Sequence, residues 1–203
     1  MKTALLFGSS GLVGSELLNL IIQSNKYDNI KLFVRSETAN THPKIEIIKT
    51  DFNNLNNHKN SIVGDDCFFC IGTTRKNTPD ENEYIRIEYS IPIEVAKIAI
   101  TNSVNNFIYV SSLGANSSSS GLYLKYKGQV EEELNDLHFP KLAILRPSIL
   151  LGKRKAHRLG ESIGKYIMQK LSPFFLGNLK KYKPQTIKDI YKQDRLIVDF
   201  SDK

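Results

Sequence analysis

Tyr123 and Lys127 stand four residues apart in the segment YLKYK, a Y-x-x-x-K spacing. If that segment is helical, the two side chains share a face. A phenol with a pKa of about 10 is a poor proton donor or acceptor at neutral pH. A lysine ammonium one turn away favours the phenolate and lowers that pKa. The pair can then act as general acid or base at a carbonyl or carbinol oxygen, and the ammonium can also bond the ribose hydroxyls of a nicotinamide cofactor. Ser112 closes the apolar run Phe107 to Val110 and its two serines, where its hydroxyl can hold the substrate oxygen. Taken alone, a Tyr and a Lys on a helix are ordinary surface residues, and their weight here comes from what precedes them in the chain.

What precedes them is MKTALLFGSSGLVGSELL. Thr3 to Phe7 reads as a buried strand, Gly8, Gly11 and Gly14 follow at three-residue spacing, and Leu17, Leu18, Ile21 and Ile22 recur as the inner face of a helix. Strand, glycine-rich turn and helix form the geometry that holds a dinucleotide pyrophosphate. Gly8 lets the chain turn sharply. At Gly11 a side chain would block the phosphates, and Gly14 lets the helix pack closely. The first-turn N–H groups, from Leu12 and Val13 onward, and the positive end of the helix dipole face the diphosphate, with Ser9 and Ser10 adding hydroxyls. The spacing is G-x-x-G-x-x-G rather than G-x-G-x-x-G, so its context directly after the first strand carries the argument.

Cofactor choice is read at the end of the second strand. NAD-preferring sites usually place an Asp or Glu there for the 2′-hydroxyl. This strand ends Phe33-Val34-Arg35-Ser36. A guanidinium offers paired donors to a 2′-phosphate, so NADP(H) is expected over NAD(H), with Arg35 beneath the phosphate and Ser36 assisting. Glu37 lies two residues on and is the competing acid.

The elements that must position these groups alternate. Strands are expected at Ile30–Val34, Ile45–Ile48, Cys67–Ile71, Phe107–Val110 and Leu142–Leu145. Helices are expected over Glu83–Thr101 and Leu122–Leu137, with a short helix or loop over Asn53–Asn60. Alternation implies an α/β fold, a Rossmann-type doubly wound parallel sheet with right-handed crossovers, whose ligands bind beyond the carboxyl ends of the strands. Residues 1–203 are expected to form one domain, with 1–152 the cofactor-binding core and 153–203 a basic substrate-side or lid segment. In that segment Leu159, Ile163, Ile167 and Leu171 form a stripe, read as a helix over the active site or sheet in preference to a weak membrane-surface contact. Thr186 to Val198 is expected to be a last helix.

At 203 residues, with 40% hydrophobic and 24% charged residues, the chain is globular and large enough for a full core. No apolar run reaches transmembrane length and no signal peptide is evident, so a cytoplasmic location is expected. Cys67 and Cys70 are the two cysteines; on a strand, residues three apart point to opposite faces, which argues against redox or metal chemistry. The histidines lack partners at metal spacing, and no metal site is expected. The net charge of +7 is uneven: residues 1–150 carry 15 Lys and Arg against 16 Asp and Glu, and residues 151–203 carry 13 against 5. A solvated basic face is the plain reading. An anionic small-molecule substrate also fits, whereas specific nucleic-acid binding lacks a motif or interleaved aromatics. The oligomeric state is not indicated.

Together, FGSSGLVGSELL, LFVR, Asp51-Phe52, CIGTTR, FIYVSSLGA, YLKYKGQVEEEL and LRPSILLG resemble the short-chain dehydrogenase/reductases of the atypical or extended, epimerase/dehydratase-like type. More narrowly, they resemble the small NAD(P)H-binding oxidoreductases related to the Tat-interacting tumour-suppressor protein of animals. The resemblance spans residues 1 to about 152. It implies that Ser112, Tyr123 and Lys127 form the catalytic set, that Asp51 and Phe52 border the adenine, that Gly72, Thr73 and Thr74 line the middle of the cofactor, and that Arg146-Pro147 lies beside the nicotinamide. It also implies an NADP(H)-dependent oxidoreductase for a small carbonyl or alcohol, with an NADP(H)-sensing regulator of little turnover as the alternative. The chain departs from the pattern at Glu88 and Ile91, where relatives often carry Asp and Tyr, and at Gln129 in place of Glu. Little room is left for the substrate domain of sugar-nucleotide epimerases.

Overall fold

The computed structural model describes residues 2–36 and 42–147, and the backbone of 150–151 and 185–186. In chain order these form β1 (Thr3–Phe7), α1 (Leu12–Gln23), β2 (Asn29–Val34), β3 (Ile45–Lys49), a 3₁₀ turn (Leu55–His58), β4 (Asp66–Phe69), α2 (Glu81–Ile85), a π turn (Arg86–Ser90), α3 (Ile91–Thr101), β5 (Asn106–Val110), α4 (Leu122–Asp136), β6 (Lys141–Leu145), and the two-residue strands β7 (Leu150–Leu151) and β8 (Gln185–Thr186).

Six parallel strands make one sheet in the order β3-β2-β1-β4-β5-β6. The order reverses between β1 and β4, which opens a crevice at their carboxyl ends. Both faces are covered, as the apolar runs require. Ala4 and Leu6 point to the α1 side, where they meet Leu17, Leu18, Ile21, Leu32 and Phe68. Leu5 and Phe7 point the other way, into a cluster with Phe33, Phe69, Val95, Ala99, Phe107 and Val130. Phe7 stacks on Phe33 with centroids 4.2 Å apart and on Phe69 at 5.9 Å. Cys67 belongs to this second cluster and Cys70 packs against the first, so the two thiols lie on opposite faces as expected. Burial pushes the Cys67 thiol well above its ordinary value.

The amino ends of the strands are locked by a buried polar group. Asp66 accepts hydrogen bonds from Tyr27 Oη and Asn106 Nδ2 and pairs with Lys26 at 3.3 Å. The crevice lies at the opposite, carboxyl ends of the strands.

The structure differs from the sequence reading in three places, the first being that the strand expected over Cys67–Ile71 runs over Asp66–Phe69. The helix expected over Glu83–Thr101 begins at Glu81 and is interrupted by the π turn. There the Ile91 N–H bonds Arg86 O, five residues back. Pro92 follows, near the start of α3; it has no N–H to give the Glu88 carbonyl and its ring crowds that carbonyl, so the ladder shifts by one residue. Thr186, expected to open a last helix, pairs instead with Leu151 in a two-residue parallel ladder. The Leu159 to Leu171 stripe and the remainder of that helix lie outside the described residues.

Candidate active site

The glycine turn closes on itself at the crevice. Gly8 has φ +89°, a left-handed conformation, and a Cβ there would lie 2.8 Å from the Cys70 and Ile71 backbone. Gly11 N–H donates to Gly8 O at 3.1 Å and Ser15 N–H to Gly11 O at 3.0 Å. Gly14 is the tight contact, because its Cβ would stand 2.1 Å from Gly8 O. Gly11, by contrast, is exposed and precedes α1 with no side chain capping the helix. Open backbone and an uncapped helix start fit a diphosphate, which the first-turn N–H groups would receive. Ser9 is half-buried and Ser10 exposed beside them; Val13 is buried, so only its backbone faces that way.

At the β2–β3 end, Arg35 and Ser36 are exposed. Asp51 is exposed too, and the Asn53 N–H and side-chain amide, both 2.9 Å away, hold its carboxyl below the usual range. Phe52 has φ +62°. Its ring is buried and tilts against Phe7 at 6.4 Å, so its backbone rather than its ring can border an adenine. Arg86 fixes that strained residue by donating to Phe52 O at 3.0 Å, while Glu83 grips the guanidinium at 2.6 and 2.8 Å. Sequence reasoning missed Arg86. The Glu83-x-x-Arg86 spacing foretells the ion pair, but nothing in it points to Phe52.

The turn after β4 is held by its own side chains. Thr73 Oγ1 and Thr78 Oγ1 lie 2.8 Å apart, and Thr74 Oγ1 accepts from Asn77 N–H at 3.3 Å. The Thr73 N–H donates to Glu88 Oε1, and Gly72 leaves space beside that carboxylate and the Lys127 ammonium.

Lys127 is the buried centre of the site, at 3% exposure. Its Nζ pairs with Glu88 Oε2 at 3.2 Å, donates to Val110 O at 3.3 Å, and lies 4.9 Å from the Tyr109 ring centroid and 5.9 Å from that of Tyr123. Burial opposes the charge, but Tyr109, Glu88 and Tyr123 outweigh it and hold the ammonium above the usual lysine value. Burial also pushes the Tyr109 hydroxyl up to about 12. Tyr123 shares the Lys127 face of α4 but is 40% exposed. Helix α4 is pressed onto the serine-rich loop, because a Cβ at Gly128 would stand 2.2 Å from Ser117 N.

The two serines after β5 part company. Ser111 is buried and donates to Glu131 Oε1, which with Oε2 also takes Arg146 Nε at 3.0 and 3.1 Å. Ser112 is half-buried, with one long contact to Leu113 O at 3.5 Å. Arg146 is therefore tied to α4, and Pro147 O accepts from Leu113 N–H at 3.1 Å. Glu88 and Glu131, both buried partners of this machinery, were not read as site residues from the sequence.

A family model described as NAD(P)H-binding matches residues 8–165. Protein FMP52, mitochondrial, of Debaryomyces hansenii is 35% identical over 184 residues, covering 90% of this chain and 78% of its own. Protein HTATIP2 of Rattus norvegicus is 32% identical over 166 residues, covering 79% and 67%. Among solved structures, MoeE5 in complex with UDP-glucuronic acid and NAD superposes with a TM-score of 0.70 over 99% of this chain and 73% of that one; at 16% identity this shows the fold. The relatives correct one expectation. The cytoplasmic location is not supported, because the Debaryomyces protein is named mitochondrial. Among the described residues no helix is long and apolar enough to cross a membrane. With the glycine turn, five of the six strands of the sheet and the Tyr-Lys face inside the matched span, the chain belongs to the NAD(P)H-binding, oxidoreductase-like family of FMP52 and HTATIP2.

Proposed function

We propose that this chain is an NADP(H)-dependent oxidoreductase of the short-chain dehydrogenase/reductase type, acting on a small carbonyl or alcohol through Ser112, Tyr123 and Lys127. The observation that carries this reading is the Tyr123 ring 5.9 Å from a buried ammonium on one face of α4, with that ammonium bonded to the last residue of β5, two positions before Ser112. When bound, the cofactor supplies the hydride. The chain's own groups do the rest. The open turn at Gly11 and the α1 N–H groups receive the diphosphate, and Lys127 orients the ribose. Ser112 Oγ holds the substrate oxygen, and Tyr123 Oη gives or takes its proton. Preference for the 2′-phosphate is supported by Arg35 at the end of β2, where no carboxylate stands; Glu37 lies outside the described residues.

A regulator that senses NADP(H) with little turnover is the second reading. It is favoured by one observation: the Lys127 charge is matched by Glu88, while Tyr123 lies open to solvent. A carbonyl panel with NADPH separates the two. Tyr123→Phe removes most turnover and leaves NADPH affinity within about twofold, because the lost hydroxyl serves the substrate oxygen. Lys127→Ala harms both. Full activity in Tyr123→Phe, or no turnover by a chain that binds NADPH, selects the regulator.

A further inference from the structure

Glu88 is a buried charge to which the reading above gives no task. It is 1% exposed, and it stands in the π turn with one oxygen toward the Thr73 N–H and the other toward Lys127. A lysine sealed from water tends to lose its proton, by several pKa units when no counter-charge is present. The groups facing Lys127 come from four elements: Glu88 from the π turn, Tyr109 from β5, Tyr123 from α4 itself, and Tyr84 from α2. Arg75 lies over the Tyr84 ring, 5.3 Å from its centroid, and Glu131, one turn along α4, is committed to Ser111 and Arg146. Burial and its neighbours push the Tyr84 hydroxyl up to about 12, and burial does the same to Tyr109. Among these groups Glu88 is the carboxylate that meets the Lys127 ammonium directly, at 3.2 Å.

We propose that Glu88 is the positioning residue of the Tyr-Lys face: its carboxylate keeps the Lys127 ammonium charged and in place, and ties it to the Gly72–Thr73 turn so that turn and lysine move as one unit. The proposal rests on the Tyr-Lys reading, but its test needs no turnover. Lysine side-chain NMR, with the signal assigned through Lys127→Met, follows the proton directly. In the unaltered chain Lys127 stays an ammonium for as long as the fold survives alkali. In Glu88→Gln its midpoint falls by about one pH unit or more, the size of a lost close counter-charge, and Glu88→Asp recovers most of that fall. Calorimetry with NADPH gives the functional counterpart: above the lowered midpoint Glu88→Gln loses affinity that the unaltered chain keeps, up to about tenfold for each further pH unit.

A Glu88→Gln lysine that titrates with the unaltered one overturns the proposal. If Glu88→Gln fails to fold while Glu88→Gln/Lys127→Met folds, the unpaired ammonium is what unfolds it, and the proposal stands. If both fail alike, Glu88 is a packing residue and the proposal falls. The expected titration together with no carbonyl turnover refutes the oxidoreductase reading and leaves Glu88 its role.

Discussion

Gly11→Ala separates the demands of the fold from those of the cofactor. Gly11 sits at φ −75°, ψ 171°, which any residue adopts without strain. Among the described residues a Cβ there would meet only Gly8 O, at 3.4 Å, an ordinary contact. The folded state therefore accepts alanine. The unfolded chain loses freedom, which by itself stabilises the protein by about 0.4–1 kcal/mol. The new methyl nevertheless stands on the open side of the turn, where a diphosphate must come close to the backbone. Losing one charge-assisted hydrogen bond to phosphate costs about 1.5–3 kcal/mol, a roughly ten- to hundredfold rise in Kd. Because the diphosphate is common to both cofactors, NADPH and NADH lose alike. Gly14→Ala is the contrast: its Cβ at 2.1 Å from Gly8 O meets rigid backbone, so stability falls by about 1–3 kcal/mol. Urea unfolding and calorimetric titration of each variant decide the matter. A Gly11→Ala protein that is stable and binds NADPH as tightly as before refutes the placement of the diphosphate at this turn.

Two further outcomes follow from the polar groups at the β2–β3 end. Arg35→Ala weakens NADPH by about 2 kcal/mol, the measure of a charge-assisted hydrogen bond, and leaves NADH unchanged in calorimetry; equal losses for the two would show that Arg35 does not read a 2′-phosphate. The hydrogen-bonded Arg86 guanidinium holds the Glu83 carboxyl below its ordinary value of 4.5. Its contribution to stability is thus fully present above about that pH and is lost as pH falls through the lowered folded value. Glu83 is 40% exposed, so the contribution is well under 1 kcal/mol, and in urea unfolding across the acid range Glu83→Gln flattens the decline by that amount; an unchanged slope counts against it.

The sheet was readable because strands of a doubly covered parallel sheet are unbroken apolar runs; Thr3–Phe7 was located to the residue. The glycine turn was readable because Gly8 and Gly14 answer local steric demands. What escaped depends on contacts distant in sequence or on helix irregularity. Glu88 reaches Lys127 across 39 positions, and Arg86 reaches Phe52 across 34. The even periodicity read over Glu83–Thr101 does not register a π turn, although Pro92 was its signal. Of the serine pair, the sequence does not say which hydroxyl turns inward; the structure buries Ser111 against α4 and leaves Ser112 half-buried.

The π turn also sets the phase of the helix it interrupts. Tyr84, Glu88, Pro92 and Ala96 are all buried, at a strict spacing of four. In regular α winding, about 100° per residue, such a line creeps around the axis by about 40° at each step. The wider turn at Arg86–Ser90 slows the winding where Glu88 must face Lys127, and α3 then proceeds with its own face against the sheet. The two ends of the helix answer to different neighbours, the β4 turn on one side and the sheet on the other. Excising one residue at Arg86–Ser90 restores ordinary winding and removes the wide turn that presents Glu88 to Lys127. In this segment the count of residues, together with the identity of Arg86 and Glu88, is what evolution or an engineer has to conserve.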